Sequence, residues 1–436
     1  MKVNALLIFL LSAICFSTQA NDELQALKAE LALLKKKIEA LEALQEEAEQ
    51  AKKSEPELVN TQQHTSKRDE NGIKIGGAFR YQYTYSDFDQ DNQDRAGDLD
   101  FNLFRLDFKG KIDDFSLSAQ YRWYDYMNVV HHAWIAYDFN ERNQLKFGIQ
   151  EVPFGNFPKS ANSFFYSTAY FVGIQADFDT GLNWTWQDKG YRLDLGFFPN
   201  DELGGVDGWV DDRKDRYSFD VLGLRLSGEG IFSEPEAQLG ESNTFNLRLS
   251  KQFDLAERMN IEPGVSFQKG HLSQNGRWRD ISGLGHKQNQ VGNHASYAAH
   301  VNFDYHNLNA QFQYARYKYE VDGINAEQFA VGSFNFYGTI PASANAWLLN
   351  LSWEKPVNWG AITKIRLFND YSQLTNKSGN FDKTWMNSTG VIVSAGPLYT
   401  YIEYYKAKNQ PFIGGNLVGN DEIAKGRLNM NIGYYF

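Results

Sequence analysis

Cysteine is almost missing from this chain: the single one, Cys15, lies in the first apolar run. The remainder therefore has no disulfide framework and no thiol or zinc–cysteine chemistry. Long apolar runs are missing too. Beyond the N-terminus nothing approaches the ~18 residues a spanning helix needs. Basic residues are in deficit, with 43 Lys and Arg against 54 Asp and Glu and a net charge of −11. Such a chain lacks the basic footprint of a nucleic-acid binder. Hydrolase motifs are absent as well, with neither G-x-S-x-G nor H-E-x-x-H. Among eight His, only His131-His132 and His300 with His306 group locally. Strand alternation sends His131 and His132 to opposite faces, and His300 and His306 lie ~20 Å apart in an extended chain. No catalytic residue, metal site or cofactor is expected. The acidic loop residues Asp87, Asp89 and Asp91, and the pair Asp211-Asp212, lack EF-hand spacing and read as solvated loops.

What the chain does have is aromatic side chains: 24 Tyr, 32 Phe and 10 Trp in a polar sequence of 436 residues. That density suits a wall with one face in lipid and the other in water. The first twenty residues read as a secretory signal: Lys2, an apolar stretch from Ala5 to Phe16, and cleavage after Thr18-Gln19-Ala20. Residues 21–48 read as a short α-helical coiled coil in the periplasm. Leu24, Leu27, Leu31, Leu34, Ile38 and Leu41 form its 3-4-3-4-3 seam, and Glu30 with Lys35 and Lys37 with Glu42 suit a parallel bundle. Residues 49–72 are polar, contain Pro56 and read as a linker.

From residue 73 the period becomes two. Phe79, Tyr81, Tyr83 and Tyr85 alternate with Arg80, Gln82 and Thr84. Tyr191, Leu193, Leu195 and Phe197 bracket Arg192 and Asp194, and Trp347, Leu349, Leu351 and Trp353 bracket Asn350 and Ser352. Runs of ~9–12 residues with one apolar and one polar face predict tilted membrane strands. Tight turns such as Asp113-Asp114 and Asp188 to Gly190 alternate with long loops such as Ser273 to Asn293 and Asp322 to Asn345. Seventeen strand-like segments are legible, but both barrel ends require an even number. One segment, between 190 and 245, is therefore surplus or incomplete. The expected fold is all-β: a 16- or 18-stranded antiparallel transmembrane β-barrel over residues 73–436, wide enough for an aqueous lumen. Leu428, Met430, Ile432, Tyr434 and the terminal Phe436 alternate outward and resemble the barrel-assembly signal of bacterial outer-membrane proteins. The expected location is the outer membrane of a Gram-negative bacterium, among lipid and lipopolysaccharide.

The stretch Gln144–Tyr166, QLKFGIQEVPFGNFPKSANSFFY, resembles the phosphate-selective porin O and P family. There a strand like Lys146 to Gln150 ends in a turn like Pro153-Phe154-Gly155. Strands at Val129 to Phe139 and Tyr191 to Asn200 agree, and the likeness covers residues 73 to 230. The resemblance implies a homotrimer in which the loop after Gly155, about residues 153–170, folds inward as a constriction. Its residues here include Pro153, Phe154, Gly155, Phe157, Lys159, Phe164, Phe165 and Tyr166. The chain departs from the family's lysine and arginine pockets, since Lys159 is the one basic residue between Pro153 and Tyr170.

Strand parity assigns Arg80, Arg105, Lys109, Arg122, Lys146, Arg192, Arg225, Arg248, Lys364, Arg366 and Arg427 to the inner face. The acids Asp107, Asp138, Asp177, Asp194, Asp304, Glu354, Asp370 and Glu403 join them. The balance is mildly basic and predicts passive diffusion of small solutes with a preference for anions, with phosphate as one candidate. The blander alternative is that these charges pair with one another. Parity slips at Leu103-Phe104 and near Arg316. Tyr124, Trp134, Phe198, Tyr399, Tyr401 and Tyr405 also come out inward, which keeps open a sugar-selective pore with an aromatic path. A third reading is a structural tether of the outer membrane.

Overall fold

The computed structural model describes residues 72–205, 212–274, 290–420 and 423–436. The signal, coiled-coil and linker expectations fall on residues outside these, apart from Gly72, which opens the first strand.

Sixteen antiparallel strands form a closed wall. The first seven are β1 (Gly72–Ser86), β2 (Asp98–Ile112), β3 (Phe115–Trp123), β4 (Asn128–Asn140), β5 (Asn143–Glu151), β6 (Phe178–Asp188) and β7 (Tyr191–Asp201). After a short internal strand, β8 (Asp220–Leu224), the wall resumes with β9 (Ala237–Lys251), extended by β10 (Phe253–Ala256). Next come β11 (Met259–Gln274), β12 (Gln290–Tyr305) and β13 (Leu308–Val321). Two more internal strands, β14 (Gln328–Ser333) and β15 (Phe336–Pro341), precede β16 (Ser343–Trp359), β17 (Ile362–Thr375), β18 (Thr384–Ala395), β19 (Leu398–Lys408) and β20 (Lys425–Tyr435). The wall closes where β1 pairs with β20, from Ala78 opposite Tyr435 to Ser86 opposite Arg427. Closure matters because an unpaired edge in lipid leaves amides and carbonyls without partners.

The alternation seen in the sequence becomes an inside-out burial pattern. Leu195, Leu247, Phe267, Phe312, Leu349, Leu351 and Leu367 are exposed on the outside, while Asp194, Asn246, Ser266, Gln313, Asn350 and Asp370, at positions of the opposite parity on the same strands, are buried within. A water-soluble fold would reverse this, so the outer face belongs in lipid. Seven tight turns at one end alternate with eight longer connections at the other. One of these carries a short helix, α1 (Gln90–Asp94), capped by the Asp89 side chain accepting from the Asn92 N–H.

Two parity slips have different causes. Arg80 faces Leu103 and Tyr81 faces Phe101, so Asn102 is a bulge, and Phe101 and Phe104 both point outward. Near Arg316 the register is unbroken. Here the chemistry inverts, because the interior is packed: Ala315, Tyr317, Tyr319 and Val321 are buried. The surplus segment proves to be β8. It pairs with β14, which pairs with β15, and this small sheet fills part of the lumen. The expected long loop at Asp322 to Asn345 thus contains two strands. Phe329, Val331 and Ile340 from this sheet pack with Tyr319, Leu374 and Leu348 from the wall. Tyr319 and Phe329 lie 5.6 Å apart between ring centres, and the Tyr317 hydroxyl donates to the Pro341 carbonyl at 3.0 Å.

Phe329 has no exposed surface. Phe329→Ala should cost the inner sheet about 3–5 kcal/mol without touching the wall's hydrogen bonds. The expected outcome is protease cleavage within 322–342 with the heat-modifiable barrel band on gels unchanged. Loss of that band too would mean that wall and inner sheet form one cooperative unit.

Candidate functional site

The connection between β5 and β6, residues 152–177, leaves the wall and crosses the interior. Its path is written in hydrogen bonds. Pro153 and Gly155 carbonyls accept from Asn246 (3.1 Å) and the Arg248 Nε (2.9 Å) on β9. Gly155 N–H donates to the Ser266 Oγ on β11 at 3.0 Å, and Asn156 N–H to the Gln313 Oε1 on β13 at 2.9 Å. Gln311 and Asn350 then hold the carbonyls of Lys159 and Ser160, at 2.9 and 2.6 Å. Asp370 on β17 accepts the N–H groups of Asn162 and Ser163, each at 2.6 Å, and Glu403 on β19 accepts that of Phe164 at 3.2 Å. Inward polar side chains of the far wall thus replace water as partners of a buried loop. Gly155 has φ +59, and a Cβ there would sit 2.1 Å from the Gln313 Oε1, so only glycine fits.

The loop and the inner sheet leave a cavity of ≈ 620 Å³ against the wall made by β20, β1, β2 and β3. Arg80, Arg122, Arg427 and Lys159 reach it, and no carboxylate is among its lining residues. Twelve of the lining side chains are aromatic, Phe164, Phe165 and Tyr166 of the loop included. The guanidinium groups of Arg80, Arg122 and Arg427 lie over the rings of Phe164 (4.5 Å), Tyr217 (4.6 Å) and Phe165 (5.6 Å).

The other basic wall residues are mostly spent on partners. Arg105 pairs with Asp107, Arg192 with Asp194, and Arg248 with Glu262, while Arg366 and Lys364 both pair with Glu354. Lys146 lies 4.6 Å over the Trp134 ring. Lys109 is exposed, opposite Ser118. Arg225 requires a correction. It follows β8 rather than sitting on the wall, and its guanidinium meets Glu229 at 3.3 Å and Thr339 at 3.2 Å. By contrast, Arg80, Arg122 and Arg427 form no ion pair among the described residues; their bonds go to Asn102, to Gln120 and Tyr124, and to the Phe412 carbonyl.

Of the remaining loop residues, Pro153 and Phe154 are buried, and Phe157 lies under Arg192 and Arg248 at 5.3 and 5.8 Å. Phe436 exchanges backbone bonds with Gly77, at 2.8 and 3.0 Å. Asp177 is not on a strand but ends the inward loop. His131 and His132 correct the alternation argument. Gln120 faces His132 and Tyr121 faces Val130, so His131 is a bulge, and the two Nδ1 atoms lie 2.8 Å apart. Tyr217, Phe334, Phe336 and Phe412, which also line the cavity, come from connections whose inward course leaves no mark in strand periodicity.

Residues 73–278 match the family model of the phosphate-selective porins O and P. That stretch contains Gln144–Tyr166 and, together with the closed sixteen-stranded wall, it supports an outer-membrane channel. The match includes Arg80, Arg122 and the inward loop, whereas Arg427 lies beyond it. No curated protein sequence matches the chain. Among solved structures, the outer membrane channel DcaP of Acinetobacter baumannii is 11% identical, with a TM-score of 0.50, over 84% of this chain and 97% of that one. An anion-selective porin from Comamonas acidovorans is 9% identical, with a TM-score of 0.48, over 84% and 99%. Identities this low bear on the fold alone.

Lys159 stands on the loop close to Arg366 and Lys364. Its surroundings of protein, and then Arg366, lower its ammonium to about 8. Lys159 is charged below that value and neutral above it, so any preference for anions should weaken as pH rises from 7 to 9. In Lys159→Met this dependence should vanish, as read by reversal potentials in a salt gradient. Separately, Asp370→Ala strips two loop amides of their acceptor, and single-channel noise should rise while the barrel still folds.

Proposed function

We propose that this chain is a porin, a passive outer-membrane channel that prefers anions, with the 153–170 segment as its constriction. One observation carries the reading: Arg80, Arg122 and Arg427 line a cavity with no carboxylate among its lining residues. Charge pairing, the bland explanation of a basic wall, accounts for Arg105, Arg192, Arg248 and Arg366 and fails for these three. Arg427 faces Ser86, six residues along β1 from Arg80, which is ~20 Å of strand. Positive charge spread over such a length, beside low-dielectric aromatic walls, raises the local concentration of anions. It also offers them successive sites, close enough to enter and weak enough to leave.

Phosphate is one anion the arginines suit, since a guanidinium presents paired donors to an oxyanion. The sugar reading draws on the twelve rings of the lining. Against it, Phe164 and Tyr217 lie under guanidinium groups and Tyr166 stacks on Tyr170 at 4.6 Å, so these rings leave few open faces for a pyranose. We further read the chain as a homotrimer with the Leu24 to Leu41 seam as a parallel bundle, a reading supported by the heptads and the resemblance.

The test is a bilayer recording of the refolded protein across a salt gradient. Replacing Arg80, Arg122 and Arg427 together with Gln should lower the anion-to-cation permeability ratio about tenfold. Arg105→Gln, which breaks a paired charge, should change it much less. A wild-type reversal potential that is neutral or cation-selective would refute the reading. Added phosphate should reduce the chloride current if oxyanions share the same sites.

A further inference from the structure

At the ends of β6, β7 and β9 away from the tight turns, six carboxylates crowd one buried region: Asp177, Asp179, Asp201, Glu202, Asp220 and Glu241. Four of them have partners. Asp201 binds Arg213 at 2.6 Å and Arg216 at 2.9 Å, and Asp220 binds Arg216 at 2.5 Å. Glu202 accepts from the Ser218 hydroxyl at 2.7 Å, and Glu241 from the Tyr319 hydroxyl at 2.8 Å. Asp177 and Asp179 have no side-chain hydrogen bond or ion pair among the described residues. Asp177 is only 8% exposed, and its Oδ1 is fully buried without a partner. A buried carboxylate in that state is costly unless something compensates its charge. Against the six acids stand two guanidinium groups, Arg213 and Arg216, and the His294 imidazole 3.3 Å from Glu241; with His neutral the formal balance is −4.

Geometry supplies a compensator. One oxygen each from Asp177, Asp179 and Asp220 lie within 4.8 Å of one another. Calcium binds carboxylate oxygens at ~2.3–2.6 Å, so two of its ligands can stand up to ~5 Å apart. An all-oxygen, all-anionic set suits a hard cation and not a soft one. Magnesium, with contacts of ~2.0–2.1 Å, asks for a tighter set. The unpartnered Asp177 separates this cluster from the acidic loop at Asp87, Asp89 and Asp91, which is open to solvent.

We propose that Asp177, Asp179 and Asp220 bind a divalent cation, calcium by preference. Each ligand belongs to a different part of the molecule. Asp177 ends the inward loop, Asp179 is on wall strand β6, and Asp220 opens the inner sheet at β8. A cation here clips the two inserted elements to the wall beside the cavity they shape.

The experiment uses the refolded full chain in detergent, stripped with EDTA and titrated with calcium chloride. Binding is read by calorimetry and stability by thermal unfolding. One site per chain is expected, with a calcium-dependent rise in the unfolding midpoint. Asp177→Asn with Asp179→Asn should weaken binding at least tenfold and abolish the rise. In EDTA the same variant should melt no lower than the wild type, because it removes buried like charges that have no partner; a merely structural role predicts the reverse. Asp177→Asn alone serves if the double variant does not refold. Asp87→Asn with Asp89→Asn and Asp91→Asn should leave binding unchanged. The proposal falls if about 1 mM calcium neither binds nor shifts the midpoint, or if the loop variant loses the shift and the buried variant keeps it.

Discussion

An amide taken out of water must find another partner, and this barrel meets that demand twice. In the wall the partners are neighbouring strands, and the β1–β20 pairing removes the last edge. Inside, the partners are side chains. A loop crossing a wide lumen has no strand beside it, so Asp370, Glu403, Gln313 and Ser266 accept its N–H groups from the far wall. The inward polar face of the strands is therefore more than a hydrated lining. It is the set of acceptors and donors that holds the inserted loop.

That use of side chains also sets the charge of the cavity. Acids that strand parity places on the inner face are consumed elsewhere: Asp370 and Glu403 by loop amides, Asp194 and Glu354 by arginines and lysine. What remains unpaired at the ≈ 620 Å³ cavity is positive, in a chain whose net charge is −11. The chain and the cavity can differ in sign because the chain's acidic residues lie elsewhere and no carboxylate lines the cavity.

The wall was legible in the sequence because lipid imposes a strict period of two. Leu247 and Leu249 around Arg248 need no tertiary knowledge to be read. The even-strand rule shows that one of seventeen segments is miscounted, and the stretch between 190 and 245 holds β8. Legibility ended where lipid stops dictating the pattern. Tyr317 and Tyr319 face inward because an inner sheet packs on them, and no local rule announces that sheet. Asn102 and His131 are bulges, each shifting parity by one residue. Arg225 was assigned to the wall by a parity that does not apply off it. In the cavity, Arg80, Arg122 and Arg427 were found by period. Tyr217 and Phe412 were not, since a connection that folds inward has the composition of one that folds out.

The inner sheet fills one side of the barrel and leaves the other to the cavity, so the cavity is eccentric. It is a gutter along β20, β1, β2 and β3, in which the guanidinium groups of Arg80 and Arg427 rest on the rings of Phe164 and Phe165, so that charge and apolar surface adjoin. A solute in a gutter is not free to tumble as it would be in a central bore. Its charged end meets the guanidinium groups while its apolar body lies along the adjoining rings. On the proposed channel function, passage would select for the separation between charge and apolar surface within a molecule, a property distinct from both its size and its net charge.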